Sequence, residues 1–285
     1  MRSTTFIPIL LLFSLGATAQ CYTSSSVLDG VALNTQNIFK PPMDYTYLRE
    51  ADAAWVKRVW RKIDVRQKMN HSFAFPRYPQ PGRRSLFDAL VCGIVHDAVI
   101  TAYDPGSLGD SDDFTIPMSS SQAAECMTTE VPTTTVDLVT GEERDTTLTI
   151  SYETKDVVHY LIKEEWFYDK QRSVMDVRII GLAPVVEVLD QNTGDFKGYK
   201  TLFWVYYPEA RVRLSNEMAF NRGNDVERRT FDEIFQKRQF GSVIVKESNV
   251  YDRNIAEYRK GINALLEAES IQDNITNREI DLWRF

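Results

Sequence analysis

Four runs in the middle of the chain restrict the fold more than any other feature. They are "TTLTISYE" (146–153), "VVHYLIKEEWFYD" (157–169), "SVMDVRIIGLAPVVEVLD" (173–190) and "GYKTLFWVYYP" (198–208). All are rich in β-branched and aromatic residues, which suit a pleated, half-buried surface. "DKQRS" and "DQNTGDFKG" between them have hairpin-turn chemistry. Consecutive strands joined by short turns form an antiparallel sheet rather than a βαβ array.

The flanks read as helical. Apolar residues at Leu48, Ala51, Trp55, Val56, Val59, Trp60 and Ile63 recur three or four apart, which predicts a helix over 48–70. Lys57, Arg58, Arg61, Lys62 and Lys68 then gather mostly on another face, as a solvated surface or a dock for an acidic partner. A second helix is expected from Ser85, an N-cap with Asp88 at the third helical position, running into a strand over 98–103. Residues 104–145 read as an irregular excursion with a small hairpin at Thr140-Gly141. Asp252 is expected to cap a long helix over 252–277, with a stripe of Ile255, Tyr258, Ile262, Leu265, Leu266 and Ile271. Leu282, Trp283 and Phe285 would anchor the tail. The expected class is α+β: an antiparallel sheet of long hairpins with helices N- and C-terminal to it.

One further pattern links the flanks. "FDALVCGIVHDAVITA" (87–102) aligns without gaps on "FDEIFQKRQFGSVIVK" (231–246). Each copy reads helix, turn, strand, so a helix–strand repeat flanking the sheet is one reading. Chance is the other, since such units share these patterns by necessity.

The N-terminus has a basic start at Arg2, an apolar core over 6–15 and the small-x-small pattern Ala17-Thr18-Ala19. That predicts a secretory signal peptide over 1–19; the apolar core is too short for a membrane span. A lipoprotein signal wants a small residue before the cysteine and Gln20 precedes Cys21, so the expected mature chain is soluble and starts at Gln20, with lipid attachment at Cys21 as the alternative. Residues 20–47, rich in Ser, Thr and Asn, read as an extended arm, and 48–285 as a single α+β domain. The net charge is −7, one unit more negative once Arg2 leaves, which argues against bulk nucleic-acid binding. The three cysteines, Cys21, Cys92 and Cys126, permit at most one internal disulfide, and free thiols are the expected state.

No assembled catalytic set is visible. His71, His96 and His159 are far apart and lack metal-ligand spacing. There is no GxSxG elbow and no glycine-rich phosphate loop. Gly109-Asp110-Ser111 lies in an acidic loop rather than after an N-terminal strand. Asp110, Asp112 and Asp113, or Asp190, Asn192 and Asp195, supply oxygens but do not fit a calcium loop. Glu164 and Glu165 are adjacent on a strand, so they face opposite ways and cannot share a substrate. No metal or cofactor is expected.

Taken in order, "RVWRKIDVRQKMN", "RRSLFDAL", "IKEEWFYDKQRSVMDVRIIGLAP", "YKTLFWVYYPEAR", "FDEIFQKRQFGSVIVKESNVYDR" and "EIDLWRF" resemble the GldN (PorN) family of gliding-motility proteins, from about Leu48 to the end. The resemblance implies a non-enzymatic periplasmic component of the type IX secretion system of Bacteroidetes. It also implies partners: the outer-membrane lipoprotein GldK (PorK) in a homo-oligomeric ring, and the periplasmic part of the motor protein GldM (PorM). Alternatives are a periplasmic glycan- or peptidoglycan-binding protein or a hydrolase. The candidate interaction residues are Lys57, Arg58, Arg61, Lys62, Arg238, Lys246, Asn249 and Arg253. Loss of Phe231 or Ile234 should lower the amount of folded protein; charge reversal at Arg238 or Arg253 should leave the fold and weaken assembly.

Overall fold

The computed structural model describes residues 41–80, 83–106, 109, 111–136, 143–190, 195–224 and 227–282. In chain order, the first half holds β1 (Ala53–Asp64), α1 (His71–Ala74), α2 (Leu86–Val91), β2 (Ala102–Tyr103), β3 (Pro117–Met118), α3 (Ser120–Cys126), β4 (Thr128–Val136) and β5 (Glu143–Ser151). The centre holds β6 (Val157–Asp169), β7 (Val174–Leu189), β8 (Phe196–Thr201) and β9 (Trp204–Tyr206). Then follow α4 (Tyr207–Leu214), β10 (Met218–Ala219), β11 (Arg229–Thr230), α5 (Phe231–Gln236), β12 (Val243–Glu247), α6 (Ile255–Tyr258) and α7 (Ile262–Leu282).

The expected antiparallel sheet is present and the class is α+β. Eight strands join in the order β12-β1-β6-β7-β9-β2-β3, with β8 also on β7. The β6–β7 hairpin is its spine, pairing Asp169 with Val174 at the turn and Val157 with Val186 at the far end. Both runs were legible from their β-branched and aromatic composition rather than from alternation, since Gly181–Val186 of β7 is buried without a break.

The first expected helix is instead a strand. β1 pairs antiparallel with β6 from Ala53↔Asp169 to Asp64↔His159 and with β12 on its other side. The physical reason is a degeneracy of spacing. Trp55, Val59 and Ile63 are four apart, and four residues return to the same face of a helix and of a strand alike. Two flanking ladders, and a run rich in Trp, Val and Ile, decide for the strand. The basic residues therefore form no single face: Lys57 and Arg61 share the face of Val59, while Arg58 and Lys62 point to the opposite one.

Other expectations are corrected more locally. Ser85 does cap α2, accepting from the Asp88 N–H, but the strand over 98–103 shrinks to β2 because the helix continues as a wider turn over Cys92–His96. The 104–145 excursion contains β3, the capped helix α3 and the β4–β5 hairpin; its tip at Thr140-Gly141 lies outside the described residues. The run 198–208 is not one strand: Tyr207 opens α4, with proline in its first turn, a position a helix tolerates. Asn254, not Asp252, caps α6 through a reciprocal box with Glu257, and Asp252 is left-handed at φ 50°. Gly261, at φ 60°, separates α6 from α7, so the expected long helix is broken. Ile255 and Ile271 are buried, but Ile262, Leu265 and Leu266 are exposed. The anchoring role of Trp283 and Phe285 falls outside the described residues. Cys126 is a free thiol, whereas Cys92 is disulfide-bonded, which corrects the free-thiol expectation there. The two copies of the helix–strand pattern are capped one residue out of step. Ser85 puts Phe87 at the second helical position, while Thr230 puts Phe231 at the first.

Two cores result. The larger joins one face of the sheet to α1, α2, α4 and α5, through Phe73, Leu86, Leu90, Tyr160, Tyr207, Phe231 and Phe235. Phe73 stacks on Phe235 with centroids 5.3 Å apart, and Tyr207 meets Phe235 edge-on. The smaller seats α6 and α7 on β1 and β12, through Val59, Ile244, Ile255, Ala268, Ile271 and Ile275. Fully burying each large side chain is worth about 1.5–3 kcal/mol. Phe231→Ala should therefore lower the unfolding free energy by about 3–5 kcal/mol, measured by urea denaturation; a loss within about 0.5 kcal/mol, as at an ordinary surface position, would contradict this packing.

Candidate functional site

Arg61 sits between Val59 of the smaller core and Ile63 of the larger one. At this seam lies a fully buried carboxylate, Glu164 of β6. The register of β12 against β1 shifts between Trp60 and Arg61, and that of β7 against β6 shifts between Lys163 and Glu164. Such bulges re-aim side chains. Glu164 accepts from Arg61 Nε at 3.1 Å, from Trp166 Nε1 at 3.2 Å, and from Arg238 Nη2 at 3.0 and 3.1 Å. Its oxygens are saturated with donors, which suits a structural counter-ion and not a general base. Arg61 continues outward to Ser242 Oγ at 3.4 Å and to Gln272 Oε1 of α7. Burial lowers the Arg61 pKa, and the Glu164 charge opposes that shift.

Arg238 is held by an unusual backbone. The Gln239 N–H returns to the Ile234 carbonyl and the Arg238 N–H to that of Phe235, the hydrogen-bond pair of a Schellman helix end. That motif needs a left-handed residue, usually glycine, and Arg238 takes the position at φ 51°. A side chain there costs about 1–2 kcal/mol; in return the guanidinium reaches Glu164 and lies 5.3 Å from the centroids of both Trp166 and Phe240. Next to it, the buried Asn70 fixes the Gly241 backbone from both sides. Asn70 Nδ2 donates to the Gly241 carbonyl and Oδ1 accepts from the Gly241 N–H, each at 2.9 Å. A Cβ on Gly241 would lie 2.6 Å from Gln67 Oε1, the end of an exposed, flexible side chain that would have to swing aside. Above this floor opens a cavity of about 380 Å³ lined by Arg61, Trp166, Arg238, Phe240, Gly241, Ser242 and Gln272.

Among the eight candidate residues, the structure brings Arg61 and Arg238 together at Glu164. Lys57 pairs with Glu247 at 3.2 Å and donates to the Ser248 carbonyl. Arg58 pairs with Glu165 at 2.9 Å on the far face of the sheet, and Lys62 lies over the Tyr199 ring. Lys246 pairs with Asp252 at 2.8 Å and sits over Trp60. Asn249 is a turn residue, donating to the Glu247 and Arg253 carbonyls. Arg253 is exposed and lies over Tyr251 and Tyr258. The expectation that charge reversal at Arg238 spares the fold is corrected: a carboxylate there would face buried Glu164.

Sequence reading missed three other buried networks, because their partners are distant in the chain. Asp232 accepts from Arg211 at 2.9 Å and from the Tyr207 hydroxyl at 3.0 Å. Arg211 also lies under Tyr45, so the end of the expected arm is docked here. Lys163 pairs with Asp112 at 3.1 Å, and Asp112 accepts from Trp60 Nε1; this aspartate, weighed above as a calcium ligand, holds its loop on the sheet. Arg213 links Asp97 and Glu217, each at 2.7 Å, and burial raises the Glu217 pKa. Among the described residues no cluster of three metal-binding side chains is found, and no helix is long and apolar enough to cross a membrane.

Fold and site together define a mixed α+β protein whose described chemistry is a guanidinium-lined pocket over a saturated carboxylate. Residues 48–284 match the family described as gliding motility associated protein GldN, and the chain belongs to that family. No curated protein matches it.

Two predictions follow from the burial of charge. Glu164→Ala leaves Arg61 buried and unpaired, so it should cost about 3–5 kcal/mol in urea denaturation; a loss below about 1 kcal/mol, as for an exposed pair, would contradict the clamp. Burial, with help from Lys62, lowers the His159 pKa from 6.5 to about 4. The folded chain keeps this ring neutral while the unfolded chain protonates it, so its contribution to stability is full above the ordinary value and is lost as pH falls from about 6.5 to about 4, by at most about 1.4 kcal/mol per pH unit. His159→Phe should flatten the stability profile across that window; an unchanged slope would contradict a neutral, buried ring.

Proposed function

We propose that this protein is a non-enzymatic structural subunit of the type IX secretion and gliding-motility machinery. In this reading it is exported to the periplasm and forms a ring with the outer-membrane lipoprotein GldK, linked to the inner-membrane motor through GldM. The family match over residues 48–284 carries the reading. The secretory pattern over 1–19 and the saturated state of Glu164 are in keeping with it. Arg253, exposed beside the turn residue Asn249, is the part of the candidate set we assign to partner contact, since Arg61, Arg238 and Lys246 each have an acidic partner within the chain.

Crosslinking mass spectrometry of cell envelopes, with affinity purification of the tagged chain, tests this. The expected result is a high-mass assembly containing the lipoprotein, with Arg253→Glu folded but reduced several-fold in recovered partner. A chain that stays monomeric and partner-free in crosslinked envelopes would remove the assembly role, and its sedimentation with purified cell wall would instead favour a peptidoglycan binder.

A further inference from the structure

We propose that the cavity between Arg61, Trp166, Arg238 and Gln272 is a binding site for a carboxylate carried by a polypeptide, with an apolar or aromatic group beside it. The inference stands on this pocket and does not depend on a role in motility.

Charge is the first reason. Arg61 and Arg238 both have Glu164 as their ion-pair partner, so two guanidiniums share one carboxylate and leave one positive charge over. The seven lining residues include no acid. The pocket is open to solvent on one side, and the excess charge over its partly buried floor attracts an anion more than an isolated surface arginine would. A single carboxylate neutralises the cluster; a phosphate dianion would leave net negative charge beside buried Glu164.

Donor supply is the second. Arg238 engages Glu164 through Nη2 alone. Its Nε–H and Nη1–H₂ make no hydrogen bond among the described residues, and its side chain keeps 28% of its surface open. Both two-N–H edges of the guanidinium include the engaged Nη2, so Nε–H and Nη1–H₂ point different ways and each can donate one charge-assisted hydrogen bond to a carboxylate oxygen. Ser242 Oγ and Gln272, both on the lining, add neutral polar contacts.

Preorganisation and shape are the third. Arg238 is pinned by the Schellman turn, by Glu164 and by two rings, and Gly241 by Asn70, so little side-chain freedom remains to be lost on binding. Trp166 and Phe240 give the cavity an apolar wall. About 380 Å³, near the lower end of ligand-site volumes, admits one or two residues of a chain and no large cofactor. A C-terminal residue with an apolar side chain, or an acidic side chain flanked by one, offers that combination.

The test is an NMR titration of the purified chain, following the Trp166 indole N–H resonance assigned through Trp166→Phe. The probes are N-acetyl-phenylalanine for a C-terminal carboxylate, N-acetyl-glutamate α-amide for an acidic side chain, their neutral amide analogues, and inorganic phosphate. A saturable, millimolar shift with one or both carboxylates, and binding about tenfold or more weaker for the neutral analogues, supports the site; the better carboxylate identifies which polypeptide group it takes. Ser242→Phe, which fills the cavity without touching the Arg61–Glu164–Arg238 contacts, should abolish the shift while the protein stays folded. Equal response to acid and amide, phosphate binding as tight as carboxylate, no saturable shift, or a shift that survives Ser242→Phe would each overturn the proposal.

Discussion

A buried carboxylate at the seam of two cores is the constraint on which much of this structure depends. Glu164 is on the central strand β6, and three side chains converge on it: Trp166 from its own strand, and Arg61 from β1 and Arg238 from the end of α5, both distant in the chain. Arg61 extends the link to α7 through Gln272. An apolar replacement of a buried ion pair is often neutral or stabilising, while loss of one partner is costly. The cluster therefore contributes placement more than net stability. It fixes where α5 ends and where α7 lies on the sheet, and it leaves Nε–H and Nη1–H₂ donors of Arg238 unused at the seam.

The strain at Arg238 belongs to the same design. A glycine would close α5 without conformational cost, but it would carry no charge to Glu164. The arginine accepts the left-handed backbone and gains four aligned groups: the carboxylate, two aromatic faces and the cavity. Asn70 and Gly241 then complete the turn into β12, so that edge strand, helix end and pocket floor are set by one compact group of contacts.

The legible and illegible parts of this fold separate along physical lines. The hairpin β6–β7 could be read because its strands are long, β-branched and joined by short polar turns; the caps at Ser85 and the packing of Phe231 and Ile234 could be read because they are local. β1 could not, since an apolar spacing of four residues fits a helix face and a strand face equally, and only pairing with β6 and β12 resolves it. α4 was hidden behind Leu202, Phe203 and Trp204, which continue the strand composition up to Pro208. The site was half legible. Arg61 and Arg238 stood out as basic residues beside aromatics, but their shared partner, Glu164, lies on a strand with no local hint of which distant charge it meets. A carboxylate on a strand otherwise facing a core was the available signal.

A double-mutant cycle between Glu164→Gln and Arg238→Gln, read by equilibrium urea denaturation, tests the central role of this clamp most directly. Groups that act as one buried network should show a coupling of about 1–3 kcal/mol, with the double variant losing less than the sum of the singles. Additivity within about 0.5 kcal/mol would mean that Arg238 and Glu164 contribute independently, and that the seam between the two cores is held by apolar packing alone.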